Sequence, residues 1–169
     1  MKKRREKEEL ATFENSSQID VQTLELLFDG YYDRIYAYCV HRLFCRTVAE
    51  DVTSLIFLSA AKGLRNFSGD GQQSHVRWLY AIAVNQCNSY IRKHLNRRKL
   101  FEKFRREHHH HQENSHLTPD WTEVYGAISQ LKEIEQTVVT LRFFEEMSYE
   151  QIAAIIKKRP NAVRVILHR

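Results

Sequence analysis

Met147-Ser148-Tyr149-Glu150-Gln151-Ile152-Ala153, followed by the run from Asn161 to Arg169, carries the side chains with the clearest chemical use in this chain. The segment reads as two short helices joined by a tight turn, the second of them basic. Asn161, Arg164, Val165, His168 and Arg169 fall on or near the leading face of that second helix. Val163, Ile166 and Leu167 include the side that holds it to a core. Arginine and asparagine so placed can donate to base edges and phosphates, while valine offers apolar contact. The chemistry is therefore recognition in a major groove, with no bond made or broken.

A second concentration of charge lies upstream. Arg92, Lys93, Arg97, Arg98 and Lys99, continuing to Lys103, Arg105 and Arg106, end a long helical pattern. Cations suit the negative end of a helix. This run is longer than one helix end needs, and it points to phosphate contact. The net charge of +5 favours a polyanionic partner in the same sense. Covalent chemistry has no anchor: there is no Walker loop, no H-E-x-x-H and no nucleophile elbow. The chain is thus not expected to be an enzyme, and no cofactor is implied.

His108-His109-His110-His111 and His116 sit in a stretch without hydrophobic periodicity, which reads as a flexible tether. No cysteine or acidic pattern fixes a coordination geometry around them, so no metal site is expected. Cys39, Cys45 and Cys87 are odd in number and lie within helical patterns. They read as buried thiols in a reducing cytoplasm. The basic N-terminus lacks the apolar run of a secretory signal. No apolar stretch approaches the ~20 residues that span a bilayer. A cytoplasmic location follows as the expectation.

The elements that must position these residues are all helical. Leu24, Leu27, Phe28, Tyr31, Ile35, Cys39 and Leu43 keep three-four spacing. Thr47-Val48-Ala49-Glu50 has the form of a capping box that starts a second helix, continuing through Val52, Leu55, Ile56, Leu58 and Ala61. Apolar side chains on both faces predict that this helix packs on one side and docks on another. Asn66 to Ser74 reads as a glycine-bearing loop. A long helix from about His75 to Arg98 then turns Leu79, Ile82, Ala83, Gln86, Tyr90 and Ile91 inward. Beyond the tether, Thr118-Pro119-Asp120 offers a cap and a first-turn proline. Trp121, Val124, Ile128 and Leu131 give one apolar face; Ile134, Val138, Leu141 and Phe144 give the next. Ser148 and Gln151 form a further capping box, and Pro160 opens the last helix. The predicted fold class is all-α, two small helical domains joined by a flexible linker.

Ala49-Glu50-Asp51-Val52-Thr53 with Phe57-Leu58, Phe67-Ser68-Gly69-Asp70, and Trp78-Leu79-Tyr80-Ala81-Ile82-Ala83-Val84-Asn85 resemble region 2 of a bacterial sigma factor. Leu141-Arg142-Phe143-Phe144-Glu145, Met147 to Ala153 and the Asn161 to Arg169 helix resemble region 4. The small size and short linker are similar to the extracytoplasmic-function (ECF) group of the sigma-70 family. The resemblance spans roughly Leu24 to Arg169. It divides the chain into a charged tail (1–20), region 2 (21–106), a His-rich linker (107–118) and region 4 (119–169).

The resemblance implies a subunit that binds core RNA polymerase, through the β′ clamp helices and the β flap, and recognises promoter DNA. Glu50, Asp51, Thr53, Phe57 and Leu58 become candidates for polymerase contact. Arg65, Asn66, Phe67, Trp78, Asn85, Arg92 and Lys93 become candidates for the minus-10 element, where unstacked bases need aromatic surfaces and cations. Asn161, Arg164, Val165, His168 and Arg169 become the minus-35 readers. An anti-sigma factor is the implied regulator. A helix-turn-helix regulator that never meets polymerase would leave the Ala49 to Asn85 block without a role. A sigma-like interaction protein without productive DNA readout is the other alternative.

The sequence departs from the family at several places. Glu146 and Lys157 stand where glycine is common; left-handed backbone there costs roughly 1–2 kcal/mol per residue, and a reshaped turn that alters how the recognition helix is presented is the alternative. Arg159 replaces the usual serine cap and cannot accept backbone N–H bonds. The Phe67 to Trp78 loop is about two residues longer than usual, and Val76 replaces a common aromatic. Family members usually continue past the position of Arg169 with more basic helix, which predicts a weaker minus-35 grip.

Overall fold

The computed structural model describes the backbone of residues 2–94 and 121–168, and side chains within 21–93 and 123–168. Among these residues there is helix and no strand. The linker 107–118, the Thr118-Pro119-Asp120 cap, the cations from Arg97 to Arg106, the histidine run and Arg169 lie outside them.

Helix α1 spans Lys2–Leu43. It takes in the segment expected as a charged tail, whose lysine, arginine, glutamate and leucine residues are good helix formers. Phe44 ends it in left-handed backbone, at φ 55°. For a bulky side chain this is a strained conformation. Burial of the Phe44 ring near Tyr125 and Ile128 offsets the strain.

Helix α2 spans Arg46–Gly63, with Cys45 as its N-cap and no side-chain cap. The expected Thr47–Glu50 capping box is therefore corrected: Thr47 already lies inside the first turn. A short 3-10 turn, Leu64–Asn66, leads to an extended loop. Helix α3 spans Gln72–His94, entered through Gly71 at φ 78°. The loop is thus shorter than Asn66 to Ser74, because Gln72, Gln73 and Ser74 are helical.

Ile35, Tyr38, Cys39 and Leu43 of α1, Ala49, Val52, Ile56 and Ala60 of α2, and Leu79, Tyr80, Ala83 and Cys87 of α3 form one buried layer. Each large aliphatic chain there contributes about 1.5–3 kcal/mol. On α3 the inward face is rotated from the one expected. Leu79, Ala83 and Ile91 are buried, but Tyr80, Val84 and Cys87 replace Ile82, Gln86 and Tyr90 as its deepest residues. Two layers cover α3, so a stripe drawn for one was too narrow. All three cysteines are buried, and none of them forms a disulfide.

The second unit contains α4 (Trp121–Gln130), α5 (Glu133–Val139), a π-turn over Thr140–Phe144, α6 (Tyr149–Ile155) and α7 (Pro160–Leu167). Val138, Leu141, Ile152 and Val163 form its centre, all fully buried. On α4, Tyr125 and Ile128 turn inward, while Val124, expected on the apolar face, is exposed. Gln136 donates to the carbonyls of Ser129 and Leu131, which ties the α4–α5 turn.

The two units pack together across α1 and α3. Arg42 is 1% exposed and donates to Gln136 Oε1 at 2.8 Å and to Thr137 Oγ1 at 3.4 Å in the second unit. It also donates to Asn88 Oδ1 at 2.6 Å within the first. The Tyr80 hydroxyl donates to the Glu145 carboxylate at 2.5 Å, and Arg34 Nη2 lies 3.6 Å from the same group. His41 Nδ1 and the Tyr125 hydroxyl hydrogen-bond at 2.6 Å, with the Phe144 ring 4.1 Å from the imidazole.

Candidate nucleic-acid and polymerase interfaces

The α7 helix settles which side chains its unit presents. Val163 is buried, and Ile166 and Leu167 are half-buried, as expected of the holding side. Asn161, Arg164, Val165 and His168 are exposed, and their spacing places them along one face. Pro160 occupies the first turn and Arg159, extended, supplies no side-chain cap. Glu146 and Lys157 have φ of 55° and 53°, so both non-glycine residues do sit in left-handed backbone. The turn keeps its shape and carries the strain.

Arg164 is held rather than free. Its guanidinium lies over the Tyr149 ring at 5.3 Å, near Glu150 at 4.0 Å, and donates to Asn161 Oδ1 at 3.4 Å. Hydrogen bonds to its own backbone N–H and to Ser148 hold the Glu150 carboxyl below its ordinary range, so it stays charged beside Arg164. Arg142 covers Tyr149 as well, at 5.2 Å, and donates to the Met147 carbonyl at 2.8 Å. The Ser148–Gln151 capping box is present in both directions, at 2.8 and 3.2 Å. Sequence reasoning missed Arg142 and Tyr149. The only signal was their position, one on each side of the turn.

In the first unit, the loop before α3 is built around aromatic stacking. Phe67 lies 4.8 Å from Trp78 and 4.9 Å from His75. A Cβ at Gly69 would press on the end of the Phe67 ring and on Ser74 Oγ, so a larger residue here would displace the stack. Trp78 also packs on Gly63, where a Cβ would stand 3.0 Å from Cζ2. Trp78 is therefore a half-buried support for the loop. Arg65 and Asn66 are exposed on the 3-10 turn, and Asn85, Arg92 and Lys93 are exposed on α3. Asn85 and Arg92, seven residues apart, share a face. Arg92 is engaged by Glu133 of the second unit at 3.0 Å.

Of the five α2 candidates, Glu50, Asp51 and Leu58 are exposed, the last at 49%. Thr53 and Phe57 are buried and cannot meet a partner from where they stand. Phe57 instead supports Phe28, 5.0 Å away, which with Tyr32 completes an aromatic cluster. Phe28 at 45% exposure and Leu55 at 49% extend the apolar patch around Leu58. The presence of apolar residues on both faces of α2 was the signal for Leu55. Among the described residues no cluster of histidine, cysteine and carboxylate groups suits a metal.

Comparisons with known proteins agree with this geometry. The sigma-70 region 2 family model matches residues 27–98, and the sigma-70 region 4 model matches residues 121–169. The RNA polymerase sigma-H factor of Pseudomonas aeruginosa is 29% identical, over 89% of this chain and 83% of its own. The ECF RNA polymerase sigma-E factor of Haemophilus influenzae is 28% identical, over 94% of this chain and 89% of its own. Among solved structures, the sigma factor RpoE in complex with the anti-sigma factor NepR from Bartonella quintana shares the fold. It has a TM-score of 0.61 and 18% identity, covering 86% of this chain and 88% of that one. With both regions present, in order and over most of its length, the chain belongs to the sigma-70 family of RNA polymerase sigma factors, in the ECF group, and serves transcription initiation without being an enzyme.

Proposed function

We propose that this sigma factor divides its work among three surfaces. Glu50, Asp51 and Leu58, with Leu55 and Phe28 beside them, meet the β′ clamp helices of core polymerase. Arg65, Asn66 and the Phe67–Trp78 stack hold bases of the minus-10 element, and Asn85, Arg92 and Lys93 track the strand beyond. Asn161, Arg164, Val165 and His168 enter the major groove at minus-35. Thr53 and Phe57 act from beneath, by fixing the α2 surface.

The observation that carries this reading is the α2 face. It exposes two carboxylates beside large apolar side chains on a helix whose opposite side is fully packed. A stand-alone DNA reader has no use for such a patch, whereas a subunit that must dock on polymerase does. The sigma factor acts in the cytoplasm, where polymerase and promoters are. Among the described residues, no helix is long and apolar enough to cross a membrane. An anti-sigma factor is the proposed regulator, as in the RpoE–NepR complex.

Core-polymerase pull-down with run-off transcription tests the assignment. The unaltered chain should bind core and give discrete start sites. Asp51→Lys with Leu58→Ala should lose core binding at least tenfold while the chain still binds minus-35 duplex. Equal retention of core binding by this double variant would remove the α2 assignment.

A further inference from the structure

Lys157, Lys158 and Arg159 stand in a row in the turn between α6 and α7, and all three are exposed. Nothing in the fold calls for cations there. Lys157 holds left-handed backbone at φ 53°, a conformation glycine adopts without steric cost. The Lys158 N–H donates to the Ala153 carbonyl at 2.9 Å, a bond open to any residue but proline. Arg159 occupies the cap position of α7 and supplies no side-chain cap, where serine or aspartate would. Two of the three positions would therefore fold better with another residue.

These charges are not answered from within the chain either. Among the described residues no carboxylate pairs with any of the three. The neighbouring arginines of the same unit are engaged: Arg142 on the Met147 carbonyl and the Tyr149 ring, and Arg164 on Tyr149, Glu150 and Asn161. Three like charges side by side repel, and their potentials add over one spot of the surface. Residues that break local folding rules without a compensating contact are expected where a surface meets a ligand.

The position of the turn identifies the ligand. It leads directly into Pro160 and Asn161, at the end of α7 that carries Asn161 and Arg164. A helix with its side chains is about 10–12 Å across and the major groove about 12 Å wide, so a seated helix has a phosphate backbone along each flank. The positive end of the α7 dipole adds to the cations at the same place. An acidic protein face would also attract them, but the turn is continuous with the reading face, and what runs beside that face is DNA backbone.

We propose that Lys157, Lys158 and Arg159 form a phosphate clamp, a sequence-independent grip on the DNA backbone at the edge of the minus-35 element. The clamp supplies affinity, while Asn161 and Arg164 supply the choice of sequence. This rests on the sigma-factor reading above. Each cation that neutralises a phosphate releases counterions, so the salt sensitivity of region 4 is concentrated in this turn.

The test uses holoenzyme reconstituted from the full chain and core polymerase, with a duplex fragment spanning a start site found by run-off transcription. Binding is measured in the cold, before the strands open, over a series of salt concentrations. The key variant is Lys157→Gly with Lys158→Gln and Arg159→Ser. It removes all three charges yet gives the turn a left-handed glycine and α7 a cap, so the chain should melt at a higher temperature. Affinity should nevertheless fall by about tenfold or more at low salt, and the slope of log K against log salt should become shallower by about 0.9 per phosphate lost, about 2.7 for three. The fall should be equal on the native and on base-substituted minus-35 elements. Ethylation of phosphates beside that element should interfere with the unaltered holoenzyme and no longer with the variant. Lys157→Arg with Lys158→Arg should keep the slope.

An unchanged slope in the triple variant would overturn the clamp. So would a loss confined to particular minus-35 sequences, which would make these residues base readers. Weakened core binding with an unchanged slope would assign the turn to an acidic surface of polymerase instead. If the triple variant fails to fold, Lys158→Gln alone, at the position with neither left-handed backbone nor a cap role, must still make the slope shallower by about 0.9, or the clamp is wrong. Failure of the sigma-factor reading would show differently, as no core binding and no start sites with the unaltered chain, and would end the clamp with it.

Discussion

Region 2 and region 4 are both helical units, but they reach a fixed shape by opposite means. Region 2 uses long helices around a buried layer, and among its described residues Phe44, at its far edge, is the one non-glycine in left-handed backbone. Region 4 uses helices of about two turns, two left-handed non-glycine residues and a last helix without a side-chain cap. It compensates locally. The Ser148–Gln151 box, Arg142 on the Met147 carbonyl, and Tyr149 between two guanidiniums hold the reading helix in place. A long helix can be positioned by its core alone, whereas a short one needs its ends and turns fixed.

The largest effect that could break this comparison comes from matched truncations. Ile56→Ala and Ile152→Ala each remove a fully buried side chain and should cost about 2–5 kcal/mol. Region 4 has roughly 50 residues, near the lower limit for an independent core. Ile152→Ala should therefore unfold region 4 while region 2 persists, and Ile56→Ala should leave both folded but less stable. Amide hydrogen exchange in α3 and α6 distinguishes the outcomes. Equal protection lost in both units by either variant would mean one cooperative core.

Arg164→Ala should weaken minus-35 binding by about 1–3 kcal/mol if it reads a guanine. The loss should be concentrated on promoters with that base, measured by titration of a sequence panel. A uniform loss would make Arg164 a phosphate contact. The strained turns are the next step down. Glu146→Gly and Lys157→Gly should each stabilise region 4 by roughly 1 kcal/mol, because glycine removes the left-handed penalty but adds unfolded-state freedom. Arg159→Ser should add about 1 kcal/mol by supplying the absent cap, and Ser148→Ala should remove a similar amount. Thermal melts of the full chain read all four.

Acid should act on the contact between the regions. Burial lowers the His41 imidazole from 6.5 to about 4, so the contact prefers the neutral ring. Protons then bind the separated form more readily than the packed one between those values. The His41 contribution is complete above pH 6.5 and is lost as the pH falls toward 4. Its neighbours in region 4 are the Tyr125 hydroxyl and the Phe144 ring, neither of which carries charge there. Glu145 opposes this, since burial raises its carboxyl and its neutral form is favoured on acidification. His41→Phe should remove the His41 contribution, so the loosening of the contact between pH 6.5 and 4 should shrink. The distance between spin labels on the two regions, as a function of pH, measures the sign.

Much of the functional layout was legible in the residues. The helical class, the Ser148–Gln151 box, the Pro160 start and the exposed arc of α7 follow from period and capping rules, which are local. The left-handed Glu146 and Lys157 were legible because the resemblance marked glycine positions, and backbone geometry outlasted the side-chain change. The Thr47–Glu50 box failed for a local reason as well: Cys45 and Arg46 extend the helix backwards and move threonine inside it. Thr53 and Phe57 are buried on a helix whose two apolar faces do not say which one is covered, so core packing and polymerase contact read alike for Phe57 in the sequence.

The sequence by itself determined which segments are helical, where most of them start and which residues of α7 face outward, because those properties depend on neighbours three or four positions away. Only the tertiary structure decided the α2 surface, the inward rotation of α3 and the fate of Arg42. Each depends on what packs against a helix from another part of the chain, 29 residues away for Phe28 on Phe57 and 46 and 94 for Arg42 on Asn88 and Gln136. Periodicity marks a face as apolar. It does not name the partner that buries it, and so it could not show an arginine closed between two regions.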